Sequence, residues 1–154
     1  MATAEAVELS LLYEHDETAW LEAMSALAAN GRHSEMDYHN LSEFLADMAR
    51  RDRREVFSRL VALISHTLKW KHQPDRRSNS WRGTMLDQRR ELVQLLESGT
   101  LRNHADAVLA DAYAHAREQA AVETGLPLSV FPIENAGGVD DFLTEPDVLH
   151  TGGN

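Results

Sequence analysis

The chain has 154 residues, the length of one domain and enough to bury a core without covalent staples. It contains no cysteine, which excludes disulfides, thiolate metal sites and a cysteine nucleophile. Its formal net charge of −10 is unevenly spread: residues 50–90 carry a net of +8 between two flanks of −9 each.

The first ten residues, M-A-T-A-E-A-V-E-L-S, carry acids where a secretory signal needs a basic start and an apolar run. No segment approaches the roughly 20 apolar residues of a membrane span. A soluble, cytoplasmic protein is the expectation. Helical periodicity then dominates, and strand-like alternation is nearly absent. Asp16 is suited to cap a first helix, with Trp20, Met24 and Leu27 on one side and Asn30-Gly31 as a left-handed stop.

Asp37 can cap a second helix whose apolar stripe is Leu41, Phe44, Leu45 and Met48. The stripe meets R-R-D-R-R-E at 50–55 and resumes at Phe57, Leu60, Val61, Ile64 and Leu68. One long helix fits this pattern. So does a kink or short break near Arg51–Arg53, which is favoured because the core-facing stripe lapses there. Asp47 with Arg51, and Arg51 with Glu55, stand at i, i+4, the spacing of helical ion pairs. Pro74 forbids continued helix and predicts a turn at 73–77. Ser78 or Asn79 can cap a third helix running to about Leu96, with Trp81, Met85, Leu92, Val93 and Leu96 on its stripe. Ser98-Gly99 stops it. Thr100 opens a fourth helix with Leu101, Val108 and Leu109, whose small residues Ala105, Ala112, Ala116 and Ala120 allow close helix approach. Gly125-Leu126-Pro127 ends that helix. Residues 1–133 read as an all-α antiparallel helical bundle of about four long helices. Residues 134–154 read as a C-terminal tail, either docked through Phe131, Ile133 and Phe142 or partly disordered.

The densest chemistry lies at 66–82, H-T-L-K-W-K-H-Q-P-D-R-R-S-N-S-W-R, with two of the three tryptophans, two histidines and a turn proline. Trp70 ends one helix and Trp81 begins the next, with Arg76, Arg77 and Arg82 around them. Guanidinium groups fork onto carboxylate or phosphate and indoles stack on flat ligands, so these five residues are candidates for holding an anion. The same residues also suit a structural corner, the favoured reading, with arginines on the last carbonyls of the second helix and cation–π contacts fixing the turn. The basic run 50–54, with Arg59, has the composition of a phosphate-tracking surface. Against that, the acidic chain repels nucleic acid at long range, and no helix-turn-helix or RNA-binding signature appears. Nucleic acid is therefore not the expected partner.

Among eight histidines, His39 with Glu43, Asp111 with His115, and His66 invite a metal reading. Bundle metal sites use inward-facing Glu and paired E-x-x-H motifs, which are missing here, so no metal and no cofactor is expected. No phosphate-cradling glycine loop and no G-x-S-x-G elbow exists, and no catalytic residue stands out. The expected function is a non-enzymatic protein-interaction or oligomerising module. A homodimer formed through complementary charge, or an unidentified protein partner, would occupy it. The alternative is an anion- or nucleic-acid-binding, or enzymatic, bundle working at the Trp/Arg corner.

Several motifs also resemble a bacterial family known as domain of unknown function 29. They are Y-E-H-D at 13–16 with Trp20, D-Y-H-N-L-S-E-F-L at 37–45, and the signature at 66–82. Q-R-R at 88–90, A-Y-A-H-A-R at 112–117, E-T-G-L-P at 123–127 and Phe131-Pro132 complete them. The resemblance implies a helical bundle and supplies no catalytic residue. Members commonly continue after F-P with a C-P-Y-like segment where this chain has I-E-N-A-G-G. They also commonly have S-P-S-L where it has S-G-T-L.

Overall fold

A computed structural model describes residues 4–135 and 137–144. Among them are six α-helices and no strand: α1 Ala4–His15, α2 Glu17–Ala29, α3 Tyr38–His72, α4 Asn79–Leu95, α5 Gly99–Thr124 and α6 Val139–Leu143. Single 3-10 turns stand at His33–Glu35, Pro74–Arg76 and Leu128–Val130. The all-α bundle expected from the periodicity is what folds, with one more long helix than the periodicity indicated. That helix is α1. Its Leu9, Leu12 and Tyr13 face the core, but Val7 and Leu11 make the opposite face apolar too, so no single stripe betrays it.

The caps explain where helices begin. The Asp16 side chain accepts the Ala19 amide (3.1 Å) and so caps α2, with α1 already before it. Asp37 accepts the Asn40 amide at the start of α3 (3.3 Å), Ser78 accepts the Trp81 amide, and Ser98 accepts the Leu101 amide. Gly125, at φ 71°, closes α5 in the left-handed region where glycine is unstrained.

The helix α3 runs unbroken for 35 residues, which corrects the favoured break near Arg51–Arg53. The core stripe lapses over 49–55, but good helix formers carry the backbone through. The pairs that form are Asp47 with Arg50 and Glu55 with Arg59, each 2.9 Å, in place of the two expected for Arg51.

The chain divides into two compact units at this point, Met1–Arg50 and Arg51–Asn154. In the first, α1 and α2 fold back on one another and pack around Leu9, Trp20 and Met24, with Leu12, Leu27, Met36, Leu41 and Phe44 partly buried. Trp20 is fully buried and stacks edge-on with Tyr13 (4.8 Å). Its Nε1 donates to Asp37 (3.1 Å), and Asp37 also accepts from the Asn40 side chain (2.7 Å). Leu45, expected on the apolar stripe, is 57% exposed.

In the second unit, α3 contributes Val56, Leu60, Leu63, Ile64 and Leu68 to a larger core. The helix α4 runs antiparallel to α3: Arg59 meets Gln88 (3.2 Å), and Thr67 lies against Met85. The helix α5 returns alongside α3, and its Ala105, Ala112, Ala116 and Ala120 are all fully buried, as small residues at a close helix contact should be. Phe131, Val139 and Phe142 are buried in this core, whereas Ile133 is 78% exposed. Arg117 donates to the Phe131 and Leu128 carbonyls, and Tyr113 to the Pro132 carbonyl, fixing the segment after α5. The end of the expected tail, 145–154, lies outside the described residues. No described helix is long and apolar enough to cross a membrane.

Candidate functional site

The helix α3 ends at His72 because Pro74 has no amide to continue it, and its ring disfavours helix at Gln73. Arg77 then reaches back. Its Nε donates to the Trp70 carbonyl (2.9 Å), one of the last carbonyls of α3, and its guanidinium lies 4.9 Å from the Trp70 ring centre. Trp70 itself is buried. Trp81 is half-buried on the first turn of α4, and the Lys69 ammonium stands 5.2 Å from its ring centre. The two indoles make no ring contact with each other; each has its own cation.

Of the five candidate residues, Trp70, Arg77 and Arg82 line one open recess of about 540 Å³ together with Pro74, Ser78 and Asn79. Trp81 and Arg76 do not line it. Arg76 is exposed and forms no side-chain hydrogen bond or ion pair among the described residues. Arg77 meets the role of a structural corner directly, since it satisfies an orphan carbonyl and covers an indole. The recess, lined by two guanidinium-bearing residues at the start of α4, leaves an anion chemically suited to the same place.

Beside the corner stands a polar cluster that periodicity did not mark. Lys69 Nζ donates to Glu123 Oε2 across 2.6 Å, joining the L-K-W of α3 to the E-T-G-L-P at the end of α5. Gln119 Nε2 donates to the other carboxylate oxygen (2.8 Å). The Lys69 side chain is only 8% exposed and that of Glu123 38%, so the cation is the deeper partner. Burial acts to raise the Glu123 carboxyl, but the Lys69 and Gln119 hydrogen bonds and the Lys69 and His66 charges outweigh it and hold the group below its ordinary value. His66 sits half-buried nearby with Nδ1 2.8 Å from the Ala62 carbonyl. Burial pushes its imidazole down, the bond to Ala62 opposes this, Lys69 adds to the drop and Glu123 resists it.

The other two histidines considered for metal lie elsewhere. His39 is exposed in the first unit, and His115 is exposed with its ring edge-on to Phe57 (5.3 Å). Among the described residues no group of three or more histidines or carboxylates is placed to share an ion.

The first unit holds a different feature, a groove of about 620 Å³ between α1, α2 and the turn His33–Glu35. Leu9, Leu12, Leu27 and Met36 supply its apolar floor, and Glu5, Glu8, Arg32 and Glu35 its rim. Arg32 is engaged by both carboxylate oxygens of Glu35. Outside the groove, Val7 and Leu11 are half exposed on the same face of α1, one turn apart, and Leu21, Tyr38 and Leu45 are exposed on α2 and α3. Sequence patterning missed the groove because it arises from α1, a helix with apolar residues on both faces.

The protein-family description "Domain of unknown function DUF29" matches residues 12–146. No curated protein and no solved structure matches the chain.

Proposed function

We propose, from the premise that the chain belongs to the DUF29 family, that it is a non-enzymatic protein-interaction module of the cytoplasm. The observation that carries this reading is the groove of the first unit, whose floor is apolar and whose rim is charged. Apolar surface gathered in one place and rimmed by charge is the mark of a surface that another chain covers. The first unit is also strongly acidic, with a net charge of −8 over Met1–Arg50, which gives such a surface a sign as well as a shape. The absence of cysteine fits a reducing compartment.

A photo-crosslinking residue at position 26 tests the reading, because Ala26 lines the groove and is exposed, with position 122 as control. Val122 is exposed too but lies on the second unit. Adducts of discrete mass from position 26 alone are expected in growing cells. Equal yields, or none, overturn it. Self-association belongs to the same reading: light scattering at low and high salt separates a charge-paired homodimer from a monomer.

The recess of about 540 Å³ favours a second reading, in which Trp70, Arg77 and Arg82 bind an anion with Arg76 and Trp81 close by in sequence. Quenching of tryptophan emission by inorganic phosphate, weakening with salt, is its expected signature.

A further inference from the structure

We infer that the α1–α2 groove of the first unit receives a basic amphipathic helix supplied by a partner protein. This rests on the interaction reading above and adds the chemistry of the partner.

The shape of the groove sets the kind of segment. The lining runs from Glu5 to Leu12 on α1 and from Ala23 to Asn30 at the end of α2, so the trough is about 12 Å long at about 1.5 Å per residue. An apolar floor of that length between two helices accepts a third helix laid along it, anchored by side chains at i, i+3, i+4 and i+7. An extended strand is a poorer guest, because the groove walls offer no unpaired sheet edge to receive its amides.

Charge sets the sign. Glu5 and Glu8 lie on the rim, are exposed, and form no ion pair among the described residues. Arg32 pairs with Glu35 and also feels the charge of Glu5, so the rim sets three carboxylates against one cation, inside a unit that is negative overall. A guest helix with lysine or arginine flanking its apolar stripe would meet complementary charge, and an acidic one would meet repulsion.

The chain itself offers no good occupant. The terminal stretch 145–154 contains Glu145 and Asp147 and no lysine or arginine, the wrong sign for this rim. Of the exposed large apolar residues among those described, only Val93 has a lysine or arginine within one helical turn, Arg89 or Arg90, so the described surface of a second copy lacks the paired apolar and basic stripe. A second copy docking by such a patch would also join two unlike surfaces, giving rings or open chains.

The test uses the full-length protein, isotopically labelled, and two synthetic peptides of about 14 residues, long enough to fill the trough. One has leucine at the anchor positions and lysine elsewhere; the other replaces every lysine with glutamate. The lysine peptide is expected to shift amide and methyl resonances of Leu9, Leu12, Leu27 and Met36. Its affinity is expected to fall about tenfold or more between low and high salt, and as much again in Glu5→Lys/Glu8→Lys, with the unfolding curve of that variant unchanged. Equal binding of the glutamate peptide, or binding indifferent to the rim variant, overturns the partner chemistry and leaves the interaction reading standing. Groove shifts that arise from self-association alone do the same and identify a second copy as the occupant. If neither peptide nor a second copy perturbs the groove, and position 26 gives no crosslink, both readings fail together.

Discussion

Lys69 and Glu123 are 54 residues apart in sequence and 2.6 Å apart at their charged atoms. The pair is asymmetric, with the ammonium almost enclosed and the carboxylate partly in solvent. Glu123→Gln therefore leaves a buried cation without its counter-charge, whereas Lys69→Met removes the buried charge and keeps an apolar stem against Trp81. The first change is expected to cost about 1–2 kcal/mol and the second less, because stranding a buried charge is worse than deleting it. Urea unfolding of both variants, followed by tryptophan emission, checks the order; a reversed order would mean that the carboxylate is the deeper partner.

Acid should weaken the same region through His66. Its folded-state pKa is pushed below the ordinary histidine value by burial, and Lys69 adds to the drop. The folded state then binds fewer protons than the unfolded one, so this contribution to stability is complete above about pH 6.5 and is lost as pH falls from there towards the folded pKa. Glu123, held low, acts in a separate and more acid window, below about pH 4.3. Urea midpoints at neutral and mildly acid pH should converge in His66→Gln relative to the parent protein; an unchanged slope would remove His66 from the account.

Local features were legible in the sequence, and tertiary ones were not. Asp16, Asp37 and Ser78 could be read as caps because a cap is satisfied within a few residues of itself, whereas Ser98, read only as a stop to the third helix, also caps α5. Pro74 and Gly125 were legible for the same reason. Glu123 was not, because nothing in the spacing of the E-T-G-L-P segment says which cation it will meet. Nor was α1, since apolar residues on both faces hide a helix that tertiary packing against α2 stabilises. The corner was legible as a set of residues, but its split roles, Arg77 on Trp70 and Lys69 on Trp81, needed the fold.

The first unit concentrates its polar bonds in Asp37. One carboxylate caps α3, receives the indole N–H of the fully buried Trp20 and receives the Asn40 amide. Asp37→Ala is expected to destabilise by about 2–3 kcal/mol, since it removes a cap and strands a buried donor at once. Asp37→Asn, which retains one acceptor oxygen, should lose less. Chemical denaturation measures both, and near-equality of the two would show that the cap alone matters.

Continuity of α3 can be tested where the core stripe lapses. Arg51 is exposed and forms no ion pair among the described residues, so its side chain contributes little by contact. In an unbroken helix Arg51→Ala should be nearly neutral, and Arg51→Gly should be less stable than the alanine variant by about 1 kcal/mol. A break at this point would make glycine as good as alanine, because an irregular backbone does not penalise it.

The two neighbouring arginines of the corner separate architecture from binding. Arg77 satisfies the Trp70 carbonyl and lies over its ring, whereas Arg76 is exposed with no side-chain partner among the described residues. Arg77→Ala should cost about 1–2 kcal/mol through a lost carbonyl bond and a lost cation–π contact, and Arg76→Ala should stay within about 0.5 kcal/mol. Phosphate titration of each variant then decides what the corner is for. If Trp70 emission responds to phosphate in the parent protein and the response falls in Arg82→Gln with the unfolding midpoint preserved, the recess binds anions. If no variant changes a phosphate response while Arg77→Ala alone lowers stability, the corner is a device for ending α3 and starting α4, because its one measurable effect is then on the turn it holds.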